Sequence, residues 1–214
     1  MNPQPLLILG TTQYALVFAD AFSDLPRFKV TGFVENLDRQ RCAEKHGGLP
    51  VHWVDDLAPL RDTHAVICCL STTHRDRYVQ QVKQLGFSFA TLVHPTATVS
   101  KKSTLAEGTS LNIGGIVAGF TRIGRYVQIN RGVTIGHHTT IEDYVTVQPG
   151  VNIAGNCHIG PQTYIGIGAT VVDGIKIGAH SVIGAGAVVT KDVPDHVLVV
   201  GVPARVVKEG IEGK

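Results

Sequence analysis

Residues 134–169 decide the fold, and in blocks of six they read TIGHHT TIEDYV TVQPGV NIAGNC HIGPQT YIGIGA. The second residue of every block is Ile or Val, and the sixth is small or β-branched. The aliphatic spacing continues on both sides, because every sixth residue from Val93 to Val189 is Val, Leu or Ile, over 17 consecutive positions. This period matches neither an amphipathic helix nor a coiled coil, whose apolar residues recur about every 3.6 and 3.5 positions.

A period of six is typical of a parallel β-helix, a solenoid in which each hexad supplies one short strand and one corner. Three hexads would close a triangular coil of about 18 residues, so that positions 18 apart stack on one face. We expect the aliphatic anchors to point inward. The small residue four positions after each anchor is expected to fill the corner.

Strand and helix signals alternate through the first ninety residues. Apolar runs at residues 5–10, 28–36 and 64–71 predict strands, and residues 11–22 and 73–86 predict helices. The alternation predicts a small parallel-sheet α/β domain of Rossmann-like type, in which ligands bind beyond the carboxyl ends of the strands. The expected domains are the α/β domain over 1–90 and the all-β helix with its C-terminal tail over 91–214.

Composition and charge restrict the function classes. The chain of 214 residues is 43% hydrophobic and 17% charged, with a net charge of +2, so nothing electrostatic suggests nucleic acid or an anionic membrane as a partner. The first residues lack a signal-peptide pattern, and no run approaches the roughly 18 apolar residues of a membrane span. The four cysteines form no CxxC pair, and adjacent Cys68 and Cys69 fit a buried strand. A cytoplasmic protein is expected.

Five motifs identify a family that the chain resembles. They are GFVEN (32–36), LVHPTATVS (92–100), IGHHTTIEDYVTVQPGVNIAGNCHIG (135–160), IGAGAVVTKDV (183–193) and VGVPARVV (200–207). In this order they resemble the hexapeptide-repeat sugar acetyltransferases, which include sialic-acid O-acetyltransferases and bacterial N-acetyltransferases of nucleotide-linked 4-amino sugars. The resemblance implies a left-handed parallel β-helix that binds acetyl-CoA, preceded by a domain that holds a nucleotide sugar.

The same resemblance implies an activity and an assembly. The expected reaction moves acetyl from acetyl-CoA to the amino group of a nucleotide-linked amino sugar, for bacterial surface glycan synthesis. The family is usually a homotrimer with active sites between neighbouring subunits, and its chemistry needs no metal. An amine or hydroxyl attacks the thioester directly while a base with a pKa near neutrality removes its proton, a role that suits histidine.

In the family, the catalytic base is the histidine two positions after an aliphatic anchor, which here is His137. The next residue is usually Asp or Glu, but here it is His138, so nearby Glu142 or Asp143 is a candidate substitute. His138 would either orient His137, contact the substrate or simply face solvent at a corner.

The 18-residue coil places two glycines beside His137. Gly119 and Gly155 lie one coil before and one coil after it, which would clear a slot next to the imidazole. The Gly155 amide could then stabilise the oxyanion of a tetrahedral intermediate.

The remaining site residues follow from the resemblance. The acetyl-CoA contacts are expected at Gly155, Ile167, Ala185, Lys191 and Arg205, the last two because a phosphate favours a positive partner. The nucleotide-sugar contacts are expected at Gly10, Thr11, Thr12, Gln13, Tyr14, Glu35, Asn36 and Asn130. The first loop departs from the usual G-x-x-G-H-G pattern, because Gly10 alone of its glycines is present, and the strand that usually ends in two acids ends in Glu35-Asn36. Fewer glycines reshape a pocket where backbone must approach a phosphate.

Three alternatives remain open. O-acetylation of a sugar hydroxyl, as in sialic acid, is the alternative within the family. A non-catalytic nucleotide-sugar-binding scaffold would explain the altered loop and the missing acid, although it would have no need of His137. A γ-type carbonic anhydrase also uses this β-helix with three zinc-binding histidines, but the sequence around the β-helix histidines has no H-x4-H pair.

Overall fold

The computed structural model describes residues 2–214, which pack as two compact units. The first unit comprises the described residues up to Leu70 together with Arg75–Thr91. The second comprises Ser71–His74 and Leu92–Lys214.

A parallel sheet forms the centre of the first unit. Its strands lie in the order β3-β2-β1-β4, with every neighbouring pair parallel. The strands are β1 (Gln4–Leu9), β2 (Phe28–Glu35), β3 (Val51–Trp53) and β4 (Ala65–Cys68), with helices α1 (Gln13–Ala21) and α2 (Asp76–Gln84). Short 3-10 helices cover Arg39–Ala43, Val54–Asp56, Ala58–Leu60 and Thr73–Arg75. Strands β1 and β4 are mostly apolar and buried, as expected for a parallel sheet covered on both faces.

Two-residue strands build the second unit. They are β5 (Leu92–Val93), β6 (Thr98–Val99), β7 (Thr104–Leu105), β8 (Ser110–Leu111), β9 (Ile116–Val117), β10 (Arg122–Ile123), β11 (Gln128–Ile129), β12 (Thr134–Ile135), β13 (Thr140–Ile141), β14 (Thr146–Val147), β15 (Asn152–Ile153), β16 (His158–Ile159), β17 (Tyr164–Ile165), β18 (Thr170–Val171), β19 (Lys176–Ile177), β20 (Val182–Ile183) and β21 (Val188–Val189). Two longer strands follow, β22 (Val197–Val200) and β23 (Arg205–Glu209).

These strands form three sheets, the faces of a triangular prism. Every third strand pairs with the next in parallel, so Ile135 pairs with Ile153 and Ile153 with Val171. Each coil therefore spans 18 residues, as the hexad spacing predicted. The final pair, β22 with β23, is antiparallel and ends the prism.

The core of the prism is the predicted stack of aliphatic anchors. The anchors from Leu111 to Val189 are at most 2% exposed. The small residues four positions later are buried as well, and several carry hydroxyls that bond to the next coil. Thr109 donates to the carbonyl of Gly124, and Thr121 to that of Gly136. The predicted architecture, an α/β unit followed by a parallel β-helix, is confirmed.

Most corners of the prism contain one residue in the left-handed backbone region. From Gly108 to Gly186 each sixth residue has a positive φ. Half of these positions are glycine, and the others are Phe120, Tyr126, His138, Tyr144, Asn156, Gln162 and His180. Among residues 2–214, no helix is long and apolar enough to cross a membrane.

Candidate active site

His137 lies at the corner after β12, directly beside Gly155 of the next coil. A Cβ atom at Gly155 would lie 2.7 Å from His137 Cε1 and 2.9 Å from its Nε2. Gly119, on the other side, would bring a Cβ near only Ser100 Oγ, at 3.5 Å. The imidazole therefore packs against Gly155. Any side chain at position 155 would clash with it.

His138 is hydrogen-bonded to Nδ1 of His137. The two Nδ1 atoms are 3.1 Å apart, a distance at which one donates and the other accepts. His138 occupies a left-handed corner position with φ 56° and stacks on Phe120 at a ring-centroid distance of 4.9 Å. His138 therefore occupies the position at which the family usually has an acid. Because it contacts Nδ1 of His137, the Nε2 atom of His137 faces the slot beside Gly155.

Gly155 is buried beside the His137 imidazole, and its amide is unpaired among the described residues. The N–H makes no hydrogen bond with any backbone or side-chain acceptor within residues 2–214. The neighbouring amide of Asn156, by contrast, donates to the carbonyl of His137. A free backbone donor beside an imidazole is the arrangement that acyl transfer needs for its oxyanion.

Glu142, proposed as the substitute carboxylate, lies elsewhere. It follows β13 on a different face of the prism and pairs with His158, Oε1 to Nε2, at 2.9 Å. Asp143 Oδ2 accepts hydrogen bonds from both Nε and Nη2 of Arg125. The structure therefore does not bring either acid to His137, because each lies at the corner after the next strand.

Lys191 and Arg205, the proposed phosphate contacts, share one cavity. The cavity has a volume of about 230 Å³ and is also lined by Asp192 and Val206. The other proposed acetyl-CoA contacts, Ile167 and Ala185, are exposed at corners of the prism. The two basic residues are therefore close together, as a pair of phosphate contacts would need to be.

In the first unit, the carboxylate of Glu35 is buried and turned toward the protein. One oxygen accepts the N–H groups of the next three residues, and the other accepts the Thr11 hydroxyl and lies 3.5 Å from Arg41 Nη1. Burial alone would raise the pKa of Glu35, but these hydrogen bonds outweigh it and lower the pKa below its ordinary value. Glu35 therefore positions Thr11 and Arg41 rather than offering a free oxygen to a ligand.

A cavity of about 430 Å³ opens at the start of α1. The predicted residues Thr11, Thr12 and Gln13 line one side of it. Residues that the sequence did not point to, Arg41, Lys45 and His46, line the other. The first turn of α1 carries no acid, so the positive end of the helix dipole favours an anion.

The other proposed sugar contacts play different parts in the structure. Gly10 has φ 119°, and a Cβ there would lie 2.9 Å from Leu70 Cδ2, so glycine is required. Tyr14 packs edge-on against Phe18. Asn36 donates to Gln81, while Asn130 is buried and accepts the Arg131 N–H.

The carbonic anhydrase alternative would need a cluster of metal-binding side chains. No group of three or more His, Cys, Asp or Glu side chains in residues 2–214 is placed to hold a metal ion.

Comparison with known proteins agrees with this geometry. The family model "Bacterial transferase hexapeptide (six repeats)" matches residues 120–155 and 156–191. A mutant of perosamine N-acetyltransferase from Caulobacter crescentus, solved with CoA and GDP-perosamine, has 27% identity and a TM-score of 0.88, over 96% of this chain and 97% of that one. The chain therefore carries the hexapeptide repeat over residues 120–191 and has the architecture of the sugar acetyltransferases. The family resemblance, the left-handed β-helix and the acetyltransferase class predicted from the sequence are confirmed.

Two further solved structures share this architecture. The acetyltransferase domain of PglB from Neisseria gonorrhoeae, in complex with acetyl coenzyme A, has 25% identity and a TM-score of 0.88, over 96% of this chain and all of that one. WeeI from Acinetobacter baumannii has 26% identity and a TM-score of 0.79, over 94% and 99% of the two chains. No curated protein sequence matches significantly.

Proposed function

We propose that the chain transfers acetyl from acetyl-CoA to the amino group of a nucleotide-linked amino sugar, with His137 as general base. The observation that supports this most directly is the position of His137, whose Nε2 lies beside the free amide of Gly155. A base and an oxyanion donor thus border the same slot. The similar structure from Caulobacter is a perosamine N-acetyltransferase in complex with GDP-perosamine, which favours a nucleotide-linked amino sugar as acceptor.

The hydrogen bond between the two histidines is compatible with the tautomer that His137 needs as a base. When His137 Nδ1–H donates to His138 Nδ1, Nε2 is left with a lone pair that can accept a proton from the acceptor. The amine then attacks the thioester carbon, and the Gly155 N–H stabilises the charge that develops on the carbonyl oxygen. The CoA thiolate leaves without a covalent enzyme intermediate.

The two cavities fit the anionic parts of both substrates. Arg41, Lys45 and the N-terminus of α1 would hold the diphosphate of the nucleotide sugar, because basic side chains and free helix N–H groups attract phosphate. Lys191 and Arg205 would contact the phosphates of CoA. The homotrimer, the cytoplasmic location and the role in surface glycan synthesis stay predictions from the family resemblance.

The test is a thiol-release assay with acetyl-CoA and a panel of UDP-, dTDP- and GDP-linked amino sugars and free sialic acid, with products read by mass spectrometry. We expect one acetyl to be gained on an amino sugar as an alkali-resistant amide. His137→Ala should lower kcat by about 10²–10⁴-fold, the usual contribution of a positioned base, without changing the melting temperature. His158→Ala, which removes an exposed histidine of the same prism, is the control.

Two outcomes would contradict the proposal. An alkali-labile ester formed only on a hydroxyl acceptor would assign O-acetylation instead. Nucleotide-sugar binding with no turnover on any acceptor would assign a non-catalytic scaffold.

A further inference from the structure

Asp173 lies on the far side of Gly155 from His137, at the equivalent corner one coil further on. A Cβ at Gly155 would be 3.0 Å from Asp173 Oδ1 and 2.9 Å from His137 Nε2. Because both atoms are so close to one point, they are separated by less than about 6 Å. A carboxylate and the proposed base therefore border the same slot, with the Gly155 backbone as its floor.

The charge of Asp173 is not neutralised by the protein. Its carboxylate accepts the Asn156 side-chain amide at 3.2 Å. No Lys, Arg or His nitrogen of residues 2–214 lies within 4.0 Å of it, and the side chain is exposed. A carboxylate without a cationic partner attracts a cationic ligand group.

A purely structural role would be to hold Asn156, which occupies a left-handed corner with φ 57°. Asn adopts this conformation more readily than most residues without outside help. Gly174, at the equivalent corner of the next coil, also has a positive φ. Asn156 can therefore hold its corner conformation without Asp173. The charge that Asp173 presents to the slot needs another explanation.

We propose that Asp173 binds the ammonium group of the acceptor and holds it between its own carboxylate and His137 Nε2. This inference rests on the proposed function, since it assigns the acceptor to the slot beside Gly155. The ammonium gives one proton to His137, and the freed lone pair forms the C–N bond at the thioester carbon. The C–S bond then breaks, CoA leaves as the thiolate and takes up a proton, and the nitrogen loses a second proton. One proton is released for each amide formed.

Asp173 then also determines acceptor specificity. A carboxylate attracts an ammonium group much more strongly than a neutral hydroxyl in the same place. The residue would thus favour an amino sugar over the same sugar with a hydroxyl at the reacting carbon. Glu142 and Asp143, the acids that lie nearest to His137 in the sequence, cannot take this role because they are paired elsewhere.

The test compares Asp173→Asn with the wild-type enzyme in steady-state kinetics on the amino sugar identified by the acceptor panel. We expect KM for the amino sugar to rise about 10-fold or more, a loss in the range of one charge-assisted contact. KM for acetyl-CoA should be unchanged. The preference for the amino sugar over its hydroxy analogue, measured as a ratio of kcat/KM values, should fall by a similar factor.

Asn156→Gly is the matched control, because it removes the amide that contacts Asp173 and keeps a residue suited to a positive φ. It should keep the wild-type KM for the amino sugar. If Asn156→Gly reproduces the loss, or if Asp173→Asn keeps the wild-type acceptor KM and preference, the inference is wrong. A wild-type enzyme without activity on any amino sugar would instead overturn the proposed function, so the two failures are distinguishable.

Discussion

At the scale of single residues, Gly155 is the position on which the proposed chemistry depends most. We predict that Gly155→Ala lowers kcat by about 100-fold, because a Cβ 2.7 Å from His137 Cε1 must displace the imidazole, and a shift of about 1 Å in a catalytic group has this effect. The atoms that it would meet within 3.0 Å belong to side chains at the surface, so the melting temperature should change little. Kinetics and thermal unfolding of the variant measure both quantities.

The repeat supplies an internal control for this prediction. Gly119→Ala places the same methyl group one coil earlier, where it meets only Ser100 Oγ at an ordinary contact distance of 3.5 Å. It should keep nearly wild-type kcat. Equal losses in the two variants would show that the effect does not come from the contact with His137.

The sequence predicted part of this site because a regular solenoid converts spacing into position. An 18-residue coil puts Gly155 next to His137 by spacing alone, and the pairing of Ile135 with Ile153 has that register. Arg41 and Lys45 were not predicted. They reach the cavity from the irregular segment after β2, where no periodic rule relates the sequence to distance.

At the scale of structural elements, buried hydroxyls link successive coils at the corners of the prism. Thr109 donates to the Gly124 carbonyl at 2.7 Å and accepts the Val127 N–H at 3.1 Å. Both partners belong to the next coil. The hydroxyl therefore satisfies one carbonyl and one amide that would otherwise be buried without a partner.

We predict that Thr109→Val lowers the free energy of unfolding of the β-helix by about 1–3 kcal/mol, the cost of leaving buried polar groups unsatisfied. The shape should be tolerated, because valine occupies the same hexad position at Val127 and Val133. Urea unfolding followed by far-UV circular dichroism gives the value. Thr104→Val, on the exposed face of a neighbouring strand, should change it by less than about 0.5 kcal/mol. A Thr109 variant as stable as that control would refute the role of the hydroxyl.

The backbone conformation of the corners was not predicted from the sequence pattern. The strands and their register followed from the aliphatic anchors. The left-handed residue of each corner did not, because half of the corners from Gly108 to Gly186 have side chains rather than glycine. These side chains stack across coils instead, as Tyr126 does on Tyr144 at 5.0 Å. Stacking offsets part of the cost of a positive φ.

At the scale of the whole molecule, the two units differ in how they bury charge. The first unit buries Glu35 and Arg75. Between residues 92 and 214, all of which the structure describes, no Asp, Glu, Lys, Arg or His is buried. The α/β unit should therefore respond to acid through a buried carboxylate, whereas the core of the β-helix has none to titrate.

This difference predicts how the molecule loses stability as pH falls. The pKa of Glu35 is lowered in the folded state, so its contribution is present above the unfolded carboxyl pKa of about 4.3 and is lost as pH falls through the lower folded value. Glu35→Gln should then destabilise the first unit by about 1–2 kcal/mol at pH 7 and by progressively less below about pH 4. Fluorescence of Trp53, the one tryptophan of the sequence, reports on this unit during urea unfolding. The circular dichroism signal of the β-helix should be the same in the wild-type protein and in Glu35→Gln. A difference between the proteins that is as large at pH 3 as at pH 7 would show that Glu35 acts through packing rather than through its charge.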